Sequence, residues 1–165
     1  MEPLLKELVE ETWQEVALFT PAQIAKEMRS FAKNQPDLLS FILQFSEELD
    51  QEVKELALYM FFVVYRMFEK GYLNKIKRVS PKEIIECYED NEKLLESLET
   101  AHDKFYERIA KVQLSDQPYV IKYVVDTLCE APENEETINL SDDDVGFLFL
   151  LLKTVIDTLN KKTDG

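Results

Sequence analysis

The chain reads as an all-α fold, about seven helices packed around a central apolar helix over residues 49–70 within one domain, 1–165. Three observations predict it. Leu56 to Tyr65 is an unbroken run of ten apolar residues with helix formers on both sides. Glycine occurs three times in 165 residues, too seldom for the tight turns of a β-fold. Finally, one helix-start pattern recurs, at Thr20-Pro21-Ala22-Gln23, Ser80-Pro81-Lys82-Glu83 and Ser141-Asp142-Asp143-Asp144.

The central run is too short to cross a bilayer, which needs about 20 apolar residues. Lys54, Glu55, Arg66, Glu69 and Lys70 bracket it, so it predicts a buried helix that other helices must cover on several sides. Gly71 stands where a left-handed residue would close that helix, with Arg66 and Lys70 near the negative end of its dipole.

Residues 3–18 predict a first, amphipathic helix with Leu5, Leu8, Val9, Trp13, Val16 and Ala17 on its buried face. The second helix starts at Pro21, with Thr20 as cap and Phe19 stapled onto Ile24, and runs to about Lys33. A third opens at Asn34-Gln35-Pro36-Asp37 and carries Leu38, Leu39, Ile42, Leu43 and either Phe45 or Leu49. Residues 115–130 predict the sixth helix and 142–161 the last, in which Asp142 to Asp144 suit the positive end of the dipole.

The fifth segment, 81–113, spaces Ile84, Tyr88, Asn91, Leu95, Leu98, His102, Phe105, Ile109 and Val112 as a heptad seam. Unbroken, it would be about 50 Å long against about 30 Å for the central helix. The favoured expectation is a break or bend near Glu89-Asp90-Asn91; the competing one is a helix that overhangs and forms a homodimer. An internal echo adds to the picture. QPDLLSFILQFSEE (35–48) aligns without a gap on QPYVIKYVVDTLCE (117–130), and, after an insertion, Val53, Leu56, Leu58, Met60, Val63, Val64 and Met67 fall opposite Val145, Leu148, Leu150, Leu152, Val155, Ile156 and Leu159. Two helix-pair repeats, 35–70 and 117–161, would produce this.

The net charge of −14 opposes nucleic acid and anionic lipid, because both are bound chiefly through Lys and Arg. Neither partner is therefore expected. Cys87 and Cys129 sit apart in apolar stretches and read as reduced, buried thiols; with an N-terminus unlike a signal peptide, this predicts a cytoplasmic location. Glu99 and His102 have the spacing of a di-iron helix, but the chain has one histidine and the second such motif needs another. Asp142, Asp144 and Gly146 lack the calcium-loop spacing, since position twelve is Lys153. No metal, cofactor or catalytic residue is therefore expected. What stands out is charge. Residues 70–82 hold five bases (Lys70, Lys75, Lys77, Arg78, Lys82) and no acid, and 130–144 hold seven acids and no base. These segments could dock on each other or on a protein partner, and Lys75, Lys77, Arg78, Lys82, Phe105 and Tyr106 are the candidate contacts. The expected function is an interaction or scaffold module without catalysis; the alternative is an enzyme using carboxylate or Tyr side chains in a groove between helices.

Overall fold

A computed structural model of the chain describes residues 2–73, 75–99, 116–129 and 140–163, with backbone alone at 97–99, 129 and 142. Every regular element among them is a helix: α1 (Lys6–Ala17), α2 (Pro21–Asn34), α3 (Pro36–Phe45), α4 (Gln51–Tyr72), α5 (Pro81–Glu99), α6 (Pro118–Cys129) and α7 (Asp142–Lys162). The three shared starts form as their residues dictate. Thr20 and Gln23 make a reciprocal capping box at α2, as do Ser141 and Asp144 at α7. At α5 the Ser80 amide donates to Glu83 Oε1 at 3.2 Å while Glu83 N–H donates to Ser80 Oγ at 3.3 Å. Each pair satisfies two backbone groups that a helix end would otherwise leave open.

The apolar run becomes the buried middle of α4: Met60 to Tyr65, Met67 and Phe68 are all below 5% exposed. α1, α3, α6 and α7 pack against it. α7 shares the centre, touching α3, α4, α5 and α6, because Leu148 to Leu152, Val155, Ile156 and Leu159 are buried in turn. α3 and α5 cover one another and α7, α1 rests on α4 and α6, and α2 leans on α3. Among the described residues no helix is long and apolar enough to cross a membrane.

Three expectations need correction. Gly71 does not end the central helix: α4 continues through Tyr72, and Leu73 takes the left-handed conformation at φ 41°. Glycine is used at 71 for close approach instead, since a Cβ there would lie 1.9 Å from Leu4 Cδ2. The N-terminal segment is thereby laid on the last turn of α4, where Tyr72 Oη donates to the Glu2 carbonyl at 2.9 Å. α1, secondly, is rotated from its expected face. Val9, Thr12 and Val16 are buried, while Trp13 is 40% and Leu5 66% exposed. Three small β-branched side chains let the helix sit close to the core, where an indole would hold it off; the Thr12 hydroxyl is satisfied by the Leu8 carbonyl at 2.7 Å. α5, finally, does not break at Glu89-Asp90-Asn91. The Asn91 side chain bonds to groups on α7 and so does not compete for its own helix backbone. On the same seam Ile84 and Leu95 are buried within the chain and Tyr88 is half-buried against the core, and α5 packs along α7 and α3. That part of the seam is therefore occupied internally. Leu98 (by side chain), His102, Phe105, Tyr106, Ile109 and Val112 lie outside the described residues.

Gln35 and Gln117, equivalent in the internal echo, do equivalent work. Each precedes the Pro that opens its helix, each is 1% exposed, and each uses its side-chain amide to fasten a distant segment. Gln117 accepts from Leu4 N–H at 3.0 Å and donates to Tyr72 Oη at 2.7 Å and Asn160 Oδ1 at 2.9 Å. Gln35 fastens the chain between α4 and α5, the stretch with the basic run.

Candidate functional site

The basic segment begins where Leu73 turns the chain out of α4 and ends where Pro81 opens α5. Its backbone is held at Lys77 and Val79. The Gln35 amide acts like a peptide group of a neighbouring strand, its Nε2 donating to the Lys77 carbonyl at 3.0 Å and its Oε1 accepting from Val79 N–H at 3.0 Å. Lys77 N–H donates in turn to the Lys162 carbonyl at the end of α7, at 3.0 Å. Val79 is 1% exposed and closes the segment onto the core. Removing the Gln35 amide would leave a buried N–H unpaired, a cost of about 1–3 kcal/mol.

On this fixed backbone the cations stand outward. Lys75 and Lys77 are exposed and have no ion-pair partner among the described residues. Arg78 reaches Asp37 at 3.1 Å with its side chain still 64% exposed, and Lys82 lies 3.9 Å from Glu86 with 85% exposure. Pairs of that kind contribute about 0–1 kcal/mol, so the charges remain available. Lys70 belongs elsewhere: its Nζ pairs with Glu15 at 2.8 Å and ties α1 to α4. Lys75, Lys77, Arg78 and Lys82 are thus exposed cations strung along the chain from the end of α4 into α5, a basic ridge in sequence order; Phe105 and Tyr106 lie outside the described residues. The described end of the acidic run does not sit beside this ridge along α7. Asp143 and Asp144 are in its first turn and Lys162 in its last, about 28 Å apart at 1.5 Å per residue. Residues 130–139 lie outside the described residues.

One cationic feature escaped the sequence reading. On α2, Lys26, Arg29 and Lys33 are all exposed, and their spacing places them within about 60° of one another, opposite the buried Phe31. The one acid of that helix, Glu27, turns inward to Arg66 at 3.5 Å. The stripe ends two residues before Gln35, whose side chain reaches the Lys77 carbonyl. Spacings of three and four among the bases were the available signal; the sequence alone does not say which face of α2 is covered. Together, residues 20–37 and 70–82 hold eight of the nineteen Lys and Arg but two of the thirty-three Asp and Glu.

Two other polar groupings are internal. Arg66 donates to Glu15 at 3.3 Å and Glu27 at 3.5 Å, with the Phe19 ring 5.9 Å from its guanidinium carbon. Hydrogen bonding from Lys70, aided by Arg66, lowers the Glu15 carboxyl. Glu69 beside them is pushed up by burial, with Arg66 opposing and Glu27 adding to the effect. The second grouping joins α5 to α7. Lys153, 5% exposed, donates to Asn91 Oδ1 and Asp157 Oδ2, both at 2.6 Å. Asn91 Nδ2 donates to Thr154 Oγ1 and Asp157 Oδ2, both at 3.2 Å, and approaches Cys87 Sγ at 3.6 Å. The donors and acceptors here satisfy one another. Burial, with Asp157 adding, pushes the Cys87 thiol up to about 11, so it stays protonated at neutral pH and is a poor nucleophile.

The phenols are set the same way. Burial raises Tyr59, Tyr88 and Tyr123 and takes Tyr65 to about 12. That is the reverse of activation for proton transfer at pH 7. Among the described residues no group of three His, Cys, Asp or Glu is arranged to hold a metal ion. Comparison of the chain with protein-family models, with curated proteins and with solved structures gave no match.

Proposed function

We propose that the protein is a cytoplasmic interaction or scaffold module that binds a protein partner through the ridge of Lys75, Lys77, Arg78 and Lys82, without a cofactor. One observation carries the reading: the segment is held at Lys77 and Val79 by hydrogen bonds to Gln35 and Lys162 while its cations stay in solvent. A backbone fixed before binding avoids most of the ordering cost that weakens flexible loops as docking surfaces. In a chain of net charge −14, such a ridge also steers and orients an acidic partner. Two helix-pair units, each begun by a buried Gln before Pro, give this function its frame.

The test is capture from native extract with the full chain and with Lys75→Glu, Lys77→Glu and Arg78→Glu combined. The captured protein is expected to be lost from the variant while the melting temperature barely moves, since exposed substitutions cost within about 0.5 kcal/mol. Equal capture by both chains would defeat the proposal, and so would a large loss of stability, which makes the ridge structural. A thermal-shift hit in a panel of metals and small metabolites would favour the enzyme alternative.

A further inference from the structure

We infer that the ridge is half of a larger surface, completed by Lys26, Arg29 and Lys33 of α2, and that its ligand is a short acidic protein segment anchored by an apolar residue at Leu73. This rests on the reading of the ridge as a docking surface and deepens it by naming the partner's chemistry.

The first support is continuity. The side chain of Gln35 holds Lys77 and Val79, and two residues earlier the chain carries Lys33 on the outer face of α2. Lys26 to Lys33 spans about 10 Å of helix, and Lys75 to Val79 at most about 13 Å of chain. An extended peptide of about four residues would span either stretch. The cations on α2 are uncommitted: Lys26, Arg29 and Lys33 have no ion-pair partner among the described residues, because Glu27 is spent on Arg66.

The second support is the apolar contact. Leu73 heads the ridge, 71% exposed, with φ 41°, the one non-glycine residue of positive φ among those described. A branched apolar side chain there is disfavoured by its backbone and gains little from burial, where Asn or Gly would relieve the strain. Nearby, Leu5 is 66% exposed, on the N-terminal segment laid against Gly71. Charge at the rim gives orientation and speed, whereas affinity needs an apolar anchor, and this surface has both.

The third support is the sign of everything else. Outside the two basic stretches the chain has eleven Lys and Arg against thirty-one Asp and Glu. A long polyanion or an anionic bilayer extends beyond the cations by more than the screening length of about 8 Å and meets that negative surface. A short acidic segment ends before it does.

Fluorescence anisotropy on the full chain tests this with a labelled peptide of Glu and Asp around a central Leu-Phe, and with the same peptide carrying Ser-Ser at its centre. A single-stranded oligonucleotide and phosphatidylserine vesicles serve as the other polyanions. The Leu-Phe peptide is expected to bind best, more weakly as salt rises. Lys26→Glu, Arg29→Glu and Lys33→Glu combined should weaken it about ten-fold. The matching Gln set serves as a second variant in case reversal unsettles the helix. Leu73→Asn should weaken the Leu-Phe peptide several-fold, leave the Ser-Ser peptide alone and leave the melting temperature unchanged or higher. If the α2 variants bind the peptide normally while the ridge variant does not, the larger surface is wrong and the interaction module stands. If the ridge variant also binds normally, the module reading fails with it. Oligonucleotide or vesicle binding as tight as the peptide's would overturn the assignment of the ligand.

Discussion

α4 and α7 are built on the same apolar pattern and are finished differently. In the alignment of the internal echo, Val53, Met60, Val63, Val64 and Met67 of α4 and their counterparts Val145, Leu152, Val155, Ile156 and Leu159 of α7 are all buried. Between them, however, Phe61, Phe62 and Tyr65 of α4 stand opposite Lys153, Thr154 and Asp157 of α7. Phe61 and Tyr65 meet Phe31 of α2, with centroids 4.5 Å and 4.0 Å from it, and Phe62 meets Phe19 edge-on at 6.3 Å. The polar trio meets Asn91 of α5. Apolar contact supplies energy with little direction; a buried hydrogen-bonded pair supplies direction at a desolvation cost. α2 is thus fastened by rings, and α5 is set in register on α7 by a polar lock, since a slip would leave Lys153 buried without its acceptors.

The largest effect should come from breaking the ring side. Phe31→Ala removes a side chain 1% exposed and should cost about 4 kcal/mol in urea denaturation, releasing α2 first. The polar side follows. Asp157→Ala leaves Lys153 buried with Asn91 as its remaining partner and should cost about 3 kcal/mol. Replacing the lock entirely, with Lys153→Met, Asp157→Leu and Asn91→Leu, should return stability to within about 1 kcal/mol of wild type. A loss above 3 kcal/mol in that triple variant would mean the lock stabilises outright, and the contrast with α4 would collapse.

Smaller effects sharpen the two environments by pH. Glu69 is raised in the folded state, so its ionised form opposes folding above the ordinary carboxylate range, and the penalty fades as pH falls through its raised value. Glu69→Gln should therefore melt higher than wild type at pH 7 and no higher in acid. Glu15 is lowered, contributes stability above its ordinary value and loses it as pH falls through its depressed one. Glu15→Gln should accordingly melt lower at pH 7, the gap closing in acid. Smallest of all, Cys87 should resist a thiol reagent at pH 8 in a Cys129→Ser background and react fully in denaturant. Rapid native labelling would show the α5–α7 contact opening far more often than its packing implies.

What could be read along the chain was whatever rests on neighbours in sequence. The three capped starts, the helical character of the central run up to residue 70, the lone thiol at 87 and the exposure of Lys75, Lys77, Arg78 and Lys82 all follow from residues within one or two turns. Errors arose where a distant partner decides. Trp13 was put inside because its spacing fits, but the small face of Val9, Thr12 and Val16 packs closer. Asn91 looked like a break because asparagine competes for backbone bonds, yet Lys153 and Thr154, more than sixty residues away, occupy its amide. Gly71 looked like a cap because glycine adopts positive φ easily, and Leu4 is what excludes a side chain there. The α2 stripe went unread because three bases spaced as Lys26, Arg29 and Lys33 carry no sign of which face a core will cover.

By itself, then, the sequence determined helix type, helix starts and the greasy middle, because periodicity and caps act over a few residues. Tertiary structure alone decided which α1 face is buried, how α5 registers on α7, and that a Gln thirty-six residues before Leu4's neighbour Gly71 holds the basic ridge still. Such outcomes depend on contacts between residues far apart in the chain, where shape and unpaired polar groups select one packing among many that share the same pattern.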